Sequence, residues 1–343
     1  MSLKIGWIGR GTFYKLIHNH LKREGVDSYN LMEIAQNRSV DVLVNYGLHG
    51  EKLREWTQAD RCNANFYTNG LVLNKNLYGN KLVCCMAVEA TDVPVPTTIT
   101  AGEVRSLGRD QLAGLVADHY IVKPLWSFGG RGIAPYGGQR ITDNQYLQRR
   151  IVDRRYELRV HAMAWLPKEK WLVAKKTHPL GEEQLTWNFH TGGSFASIEQ
   201  NESNTGVFKR AKEYAEKAMK ALHYDFCSVD FIVANASGGP LPVYFLEANL
   251  ATGFTTDRTG EFYMEAFKKL SSMTLPALKR ALRQETTTVP ETPNPPPPVQ
   301  RTQTTCAPPR RLTEFQIFGL IRMLTTPTSL SREFIINYIN NMQ

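Results

Sequence analysis

The stretch Ile121-Val-Lys-Pro-Leu-Trp-Ser-Phe-Gly-Gly-Arg-Gly-Ile133 is the first of three segments that together point to a fold. An apolar strand delivers Lys123, and a Ser/Gly loop follows at once. Glycines let backbone amides approach phosphate oxygens closely, and a lysine beside them supplies a point charge. The spacing is not that of a P-loop, because GxxxxGK[ST] is absent. A hairpin turn with incidental glycines would read the same way, so this segment alone does not choose.

Two segments further along bear on the choice. In Gln148-Arg-Arg-Ile-Val-Asp-Arg-Arg-Tyr-Glu-Leu-Arg-Val160, Glu157 and Arg159 stand two apart on a strand and so share a face. A carboxylate for sugar hydroxyls and a guanidinium for phosphate suit a nucleotide. Taken alone, the segment reads as an exposed, salt-bridged strand face. The pairs Arg149-Arg150 and Arg154-Arg155 read as a solvated basic surface. In Ser228-Val-Asp-Phe-Ile-Val233 and Val243-Tyr-Phe-Leu-Glu-Ala-Asn249, two apolar strands carry acidic groups where a core strand should not. Asp230 sits on the first strand, and Glu247 and Asn249 share a face of the second. Oxygen ligands converging from adjacent strands are what Mg²⁺ bound to phosphates requires. Carboxylates at wet strand ends are the alternative, and the apolar run before Glu247 argues against it.

The flanking sequence organises around these pieces. Over the first ~80 residues strands alternate with helices: Lys4–Gly9, a helix over Phe13–Arg23 with Phe13, Leu16, Ile17 and Leu21 on one face, then a strand at Asp41–Asn45. That order predicts a small parallel sheet. Asn80–Ala90 reads as a helix, and Val93-Pro-Val-Pro96 forces extended backbone. Strands are expected at Tyr120–Pro124, Glu157–Trp165 and Trp171–Thr177. From Gly206 the period becomes helical, with Phe208, Ala211, Ala215, Ala218 and Leu222 inward and Lys209, Lys212, Glu213 and Glu216 facing water. One helical segment over Glu261–Arg283 closes the globular part. Residues 284–311 hold eight prolines and seven threonines, which cannot bury a core and predict a disordered linker. Residues 312–343 read as a helical docking tail.

Composition excludes several classes. The 343 residues are 42% hydrophobic and 21% charged, an ordinary globular balance. No segment approaches the ~20 apolar residues of a membrane span, and the N-terminus lacks a signal-peptide core, so a cytoplasmic protein is expected. The net charge of +9 allows a polyanionic partner, yet the basic residues are dispersed and no groove-reading motif appears, so no specific nucleic acid is expected. The five cysteines form no metal-ligand spacing and read as reduced thiols.

In this order, the elements resemble the ATP-grasp superfamily, particularly its glutathione-synthetase-like and RimK-like ligases, over about residues 70–260. Leu73-Asn74, Asn80-Lys81-Leu82 and Val93-Pro-Val-Pro96 are similar to the family's entry segment. The resemblance implies an α/β (α+β) ATP-grasp fold: a Rossmann-like domain over 1–79, then an ATP-grasp domain over 80–283 with a lid subdomain at about 97–155. It implies ATP contacts from Lys81 and Lys123, and a flexible lid spanning Ser127, Gly129, Gly130 and Gly132. Gln148, Arg149, Arg150 and Ile151 would form a hinge against adenine, and Glu157 would take the ribose. Arg159 would face the γ-phosphate or acyl-phosphate with Lys176 beside it, and Asn188 with Gly192-Gly193 matches the family's N-x-x-x-G-G segment. Asp230, Glu247 and Asn249 would hold two Mg²⁺, or Mn²⁺ in their place. Two departures stand out: the hinge has Arg149 where an acidic residue is usual, and Leu250-Ala-Thr-Gly253 replaces a Pro-Gly loop.

The implied activity is joining a carboxylate to an amine through an acyl-phosphate, with Arg159 steadying the tetrahedral oxyanion. The substrates would be small molecules or peptides, with a protein partner on the tail and a homo-oligomer as further expectations. His178, Trp187, His190 and Phe195 either line the substrate site or pack, and His190 is a weak candidate base. Three rivals remain. One is a phosphotransferase on the same fold, and one is a non-catalytic nucleotide-binding interaction protein. The third is a dehydrogenase suggested by Gly9 and Gly11, although its fingerprint needs glycine where Tyr14 stands.

Overall fold

The computed structural model describes residues 2–33, 39–48, 70–75, 80–127, 129–181, 184–188, 191–254 and 256–283. The expected linker at 284–311, the expected tail at 312–343 and His190 lie outside the described residues.

The first layer comprises β1 (Ile5–Gly9), α1 (Phe13–Arg23), β2 (Ser28–Asn30), β3 (Val42–Tyr46) and β4 (Leu71–Leu73). Its strands are parallel in the order β2-β1-β3-β4. Every residue of β1 and β3 is buried, as strands covered on both faces must be. The inward face of α1 is Tyr14, Ile17 and Leu21, spaced three and four apart, while Leu16 is 46% exposed. Leu16 therefore does not belong to the apolar face expected of it. At about 100° per residue it swings to the flank of a stripe centred on Ile17.

A connecting helix α2 (Lys81–Glu89) leads to a small antiparallel layer. That layer holds β5 (Thr98–Thr100), α3 (Ala101–Ser106), α4 (Arg109–Ala117), β6 (Tyr120–Pro124), β7 (Ala134–Pro135) and β8 (Gln145–Arg149), in the order β5-β8-β6-β7. Strand β8 was not anticipated. Its Tyr146 and Leu147 are buried in the layer's interior, but polar neighbours on both sides hide them from any search for apolar runs.

The third layer is a five-stranded antiparallel sheet in the order β11-β10-β9-β12-β13, made by β9 (Arg154–Met163), β10 (Leu172–Thr177), β11 (Ser194–Ser197), β12 (Phe226–Ala234) and β13 (Val243–Asn249). Helices α5 (Gln200–Ser203) and α6 (Gly206–Leu222) fall between β11 and β12, and α7 (Asp257–Ser271) and α8 (Leu275–Arg283) follow β13. The single closing helix expected over Glu261–Arg283 is thus two. It starts earlier, where the Thr256 side chain accepts from Thr259 N, and breaks before Pro276, whose ring fits only a helix's first turn.

Lys212 also departs from expectation. It is 1% exposed, and its Nζ donates to Glu169 O, Ser203 Oγ and Asn204 Oδ1. It lies beside Ala211 on the helix face turned toward Ser203 and Asn204, so the polar atoms met there were invisible to a helical period. Phe226, Phe267, Trp165 and Trp7 share one core that unites the first layer with the end of β9 and with α7. Among the described residues no helix is long and apolar enough to cross a membrane.

Candidate functional site

The register of the five-stranded sheet aligns its polar residues. Lys176 on β10 pairs with Glu157 on β9, and Glu157 with Ile232 on β12; one row along, Arg159 pairs with Asp230 and Asp230 with Glu247 on β13. Alternation then puts all these side chains on one face. Glu157 is 3% exposed, which rules out the wet strand face.

Each carboxylate on this face is held by a cation, as burial requires. Arg159 donates from Nε and Nη2 to the two oxygens of Asp230, both at 2.7 Å. Lys81 Nζ lies 2.7 Å from Glu247 Oε2, and Asn249 Nδ2 donates to Glu247 Oε1 at 3.1 Å. Burial by itself would raise the Glu247 pKa, but the charge and hydrogen bond of Lys81, with Lys123 behind it, hold it well below the usual carboxylate range. Glu157 contacts Lys176 and accepts from Arg154 Nη1 at 2.8 Å.

The opposing small sheet contributes Lys123 from β6. It is 2% exposed, and its ammonium donates to the neutral Gln148 Oε1 at 2.9 Å. Burial draws the Lys123 pKa down. Lys81 reaches the site from the first position of α2, where Asn80 Oδ1 accepts from Val83 N and Lys81 N donates to Leu125 O. The helix start is thereby tied to the end of β6.

Between the two sheets lies a cleft. It is lined by Lys123, Gly130, Gln148, Arg149, Arg150, Ile151, Glu157, Lys176, Asn188, Asp230 and Glu247 among others. Lys81, Arg159 and Asn249 do not line it directly but touch Glu247 and Asp230, which do. Ser127, Gly129 and Gly132 stand outside the lining, on the flanks of Gly130. Gly130 has φ +73°, and a Cβ there would collide with the side chain of Asn188, so the glycine loop and the 184–188 segment meet closely only because this residue is glycine. In the same way Gly193 leaves room for the Trp187 carbonyl.

Arg154 is the residue that sequence reasoning misplaced. Expected on a solvated surface, it is 7% exposed, ion-paired to Glu157, and its guanidinium lies 4.1 Å over the Trp187 ring. Arg149 and Arg155 are exposed, and Arg150 is half-buried. No sequence signal marked it: three positions apart on a regular strand, Arg154 and Glu157 would face opposite ways, and a register shift between Val233 and Ala234 of β12 interrupts that alternation at Arg154. Trp187 lines the cleft, Phe195 lies under Arg159 and Lys176, and His178 is buried with its Nε2 on Thr191 O. Cys84, Cys85 and Cys227 are buried and unbridged.

The described residues contain no cluster of three or more His, Cys, Asp or Glu able to hold a metal. Asp230, Glu247 and the Asn249 amide form instead an all-oxygen set that bound phosphate oxygens would complete, which fits how Mg²⁺ is usually held. Lys81 and Arg159 now lie against its carboxylates.

No protein-family model matches the sequence, and comparison with curated proteins finds no match. Solved structures do match. The ATP-grasp ligase PsnB complexed with a minimal precursor aligns at TM-score 0.51 and 14% identity, covering 82% of this chain and 99% of that one. The macrocyclase MdnC bound with precursor peptide MdnA, from Microcystis aeruginosa, aligns at 0.50 and 13%, covering 77% and 99%. PsnB with a phosphomimetic precursor, Mg and ADP aligns at 0.50 and 13%, covering 83% and 99%. The chain has the ATP-grasp fold.

Proposed function

We propose that the protein is an ATP-dependent ligase that joins a carboxylate to an amine through an acyl-phosphate. One observation carries the reading: Lys81, Lys123, Arg154, Arg159 and Lys176 gather against only Glu157, Asp230 and Glu247 around one cleft. Buried positive charge left in excess calls for an anionic ligand, and the phosphates of a nucleotide would supply it. The neighbours support this choice, since one is an ATP-grasp ligase with Mg and ADP and another a macrocyclase with its precursor peptide.

In this reading Lys123 and the amides around Gly130 hold the triphosphate, and Glu157 takes the ribose. Asp230, Glu247 and Asn249 would hold Mg²⁺, which supplies charge neutralisation at the transferring phosphoryl group. A substrate carboxylate oxygen attacks the γ-phosphorus and ADP leaves. Arg159, held by both oxygens of Asp230 beside the cleft, is the guanidinium assigned to the resulting acyl-phosphate. The amine nitrogen then attacks the carbonyl carbon, Arg159 steadies the oxyanion, and phosphate departs as the nitrogen loses a proton. Asn188 against Gly130 narrows the entrance and so shields the acyl-phosphate from water.

The test is incubation of the full chain with ATP, Mg²⁺ and pools of amino acids and peptides, with products read by mass. A condensed product formed with one ADP and one phosphate per bond is the expected result. A phosphorylated product would make the protein a phosphotransferase, and absence of any nucleotide turnover would overturn the enzyme reading.

A further inference from the structure

Arg154 joins two parts of the cleft that the chain separates. Its Nη1 donates to Glu157 Oε1 at 2.8 Å, and its Nη2 donates to the Gln184 carbonyl at 2.5 Å. Its guanidinium stacks on Trp187, whose own Nε1 donates to Gly181 O at 2.8 Å. Asn188 follows Trp187 directly and abuts Gly130. One side chain thus fixes a carboxylate on the central strand and also a segment that lines the cleft.

The chemistry of Glu157 gives this arrangement a purpose. An ionised carboxylate has about four acceptor positions on its two oxygens. Arg154 takes one on Oε1, and Lys176 lies against Oε2. With those two contacts made, about two positions remain for a pair of donors. A ribose presents two adjacent hydroxyl donors.

Resting on the ATP reading above, we propose that Arg154 is a positioning residue for ribose recognition: it holds Glu157 oriented toward the sugar diol and anchors the Trp187–Asn188 segment of the cleft lining beside it. The planar fork matters, because only a guanidinium reaches Glu157 and Gln184 together while lying flat on an indole. Lysine would keep the charge and lose the bridge.

The experiment titrates the full chain, in Mg²⁺, with ATP and with 2′,3′-dideoxy-ATP, reading affinity by calorimetry for wild type, Arg154→Met and Arg154→Lys. Wild type is expected to prefer ATP about tenfold or more, as two hydrogen bonds to a charged acceptor imply. Arg154→Met should shrink that preference to within about threefold, the loss falling on ATP and sparing the dideoxy analogue, and Arg154→Lys should fall between. An unchanged preference in either variant, or equal loss on both nucleotides as from a merely structural role, overturns the proposal. So does a wild type that binds both nucleotides equally. A wild type that binds neither nucleotide sinks the ATP reading itself, and this one with it. Should Arg154→Met fail to fold by circular dichroism, Arg154→Lys carries the same test.

Discussion

Glu247 connects several groups of the cleft at once. It accepts from Asn249, pairs with Lys81, feels Lys123 across the cleft and faces Asp230 in the sheet. Glu247→Gln preserves shape and removes the charge. Lys81 then loses its counterion, and the candidate oxygen set loses its stronger donor. ADP release in the ligase assay should drop by about 10²- to 10³-fold, the usual cost of one electrostatic group in a transition state. Circular dichroism should remain that of wild type, and full turnover in the variant would refute the assignment. Lys123, Asp230 and Glu247 stood out as candidates from residue type and position in apolar strands, whereas Glu157 and Arg159 read alone as an exposed strand face and became candidates only through the family resemblance. Their partners were not legible, because which cation meets which carboxylate depends on the pairing of β9 with β10 and β12.

Among the elements, α6 tests what burial does to a charge. Lys212 is enclosed on the helix face, and burial pulls its pKa from 10.5 to about 8. A lysine whose folded pKa lies below its unfolded value costs stability wherever the unfolded chain is protonated first. Stability should therefore fall as pH drops from about 10.5 to about 8 and stay level below that. With allowance for screening the span is about 1–2 kcal/mol. Urea unfolding of wild type and Lys212→Met across this range should differ by that slope, which the variant lacks, and parallel curves would refute the account. Elements with strong periods were read nearly to their ends, as with Tyr120–Pro124 and the helix at Gly206–Leu222. Strand β8 was missed because only two of its residues are apolar, and it is a strand chiefly because β5 and β6 pair with it on either side.

At the scale of the molecule, a polar joint at Asn74 adds to the shared aromatic core in connecting the first and third layers. Asn74, fully buried with φ 54°, accepts on Oδ1 from Asp225 N and Phe226 N, donates from Nδ2 to Phe226 O, and donates its own N–H to Asp225 Oδ2 at 2.6 Å. Its carbonyl accepts from Asn45 Nδ2, so β3, β4 and β12 meet at this residue. Asn74→Ala leaves several buried groups unpaired in a left-handed backbone and should cost about 3–5 kcal/mol in urea unfolding. Asn74→Gly, which relieves only the backbone, should cost about 1 kcal/mol less. Equal effects would show that the bonds alone matter. The sequence by itself determined the order of layers, the parallel character of the first sheet and the residue types facing the cleft, because those follow from local periods and from polar residues set in apolar strands. Only the tertiary structure decided that Arg154 and Lys212 turn inward, that Lys81 reaches Glu247, and that Asn74 closes the joint. Each of those outcomes depends on a partner from 3 to 166 positions away, brought close by sheet register and layer packing that no local pattern encodes.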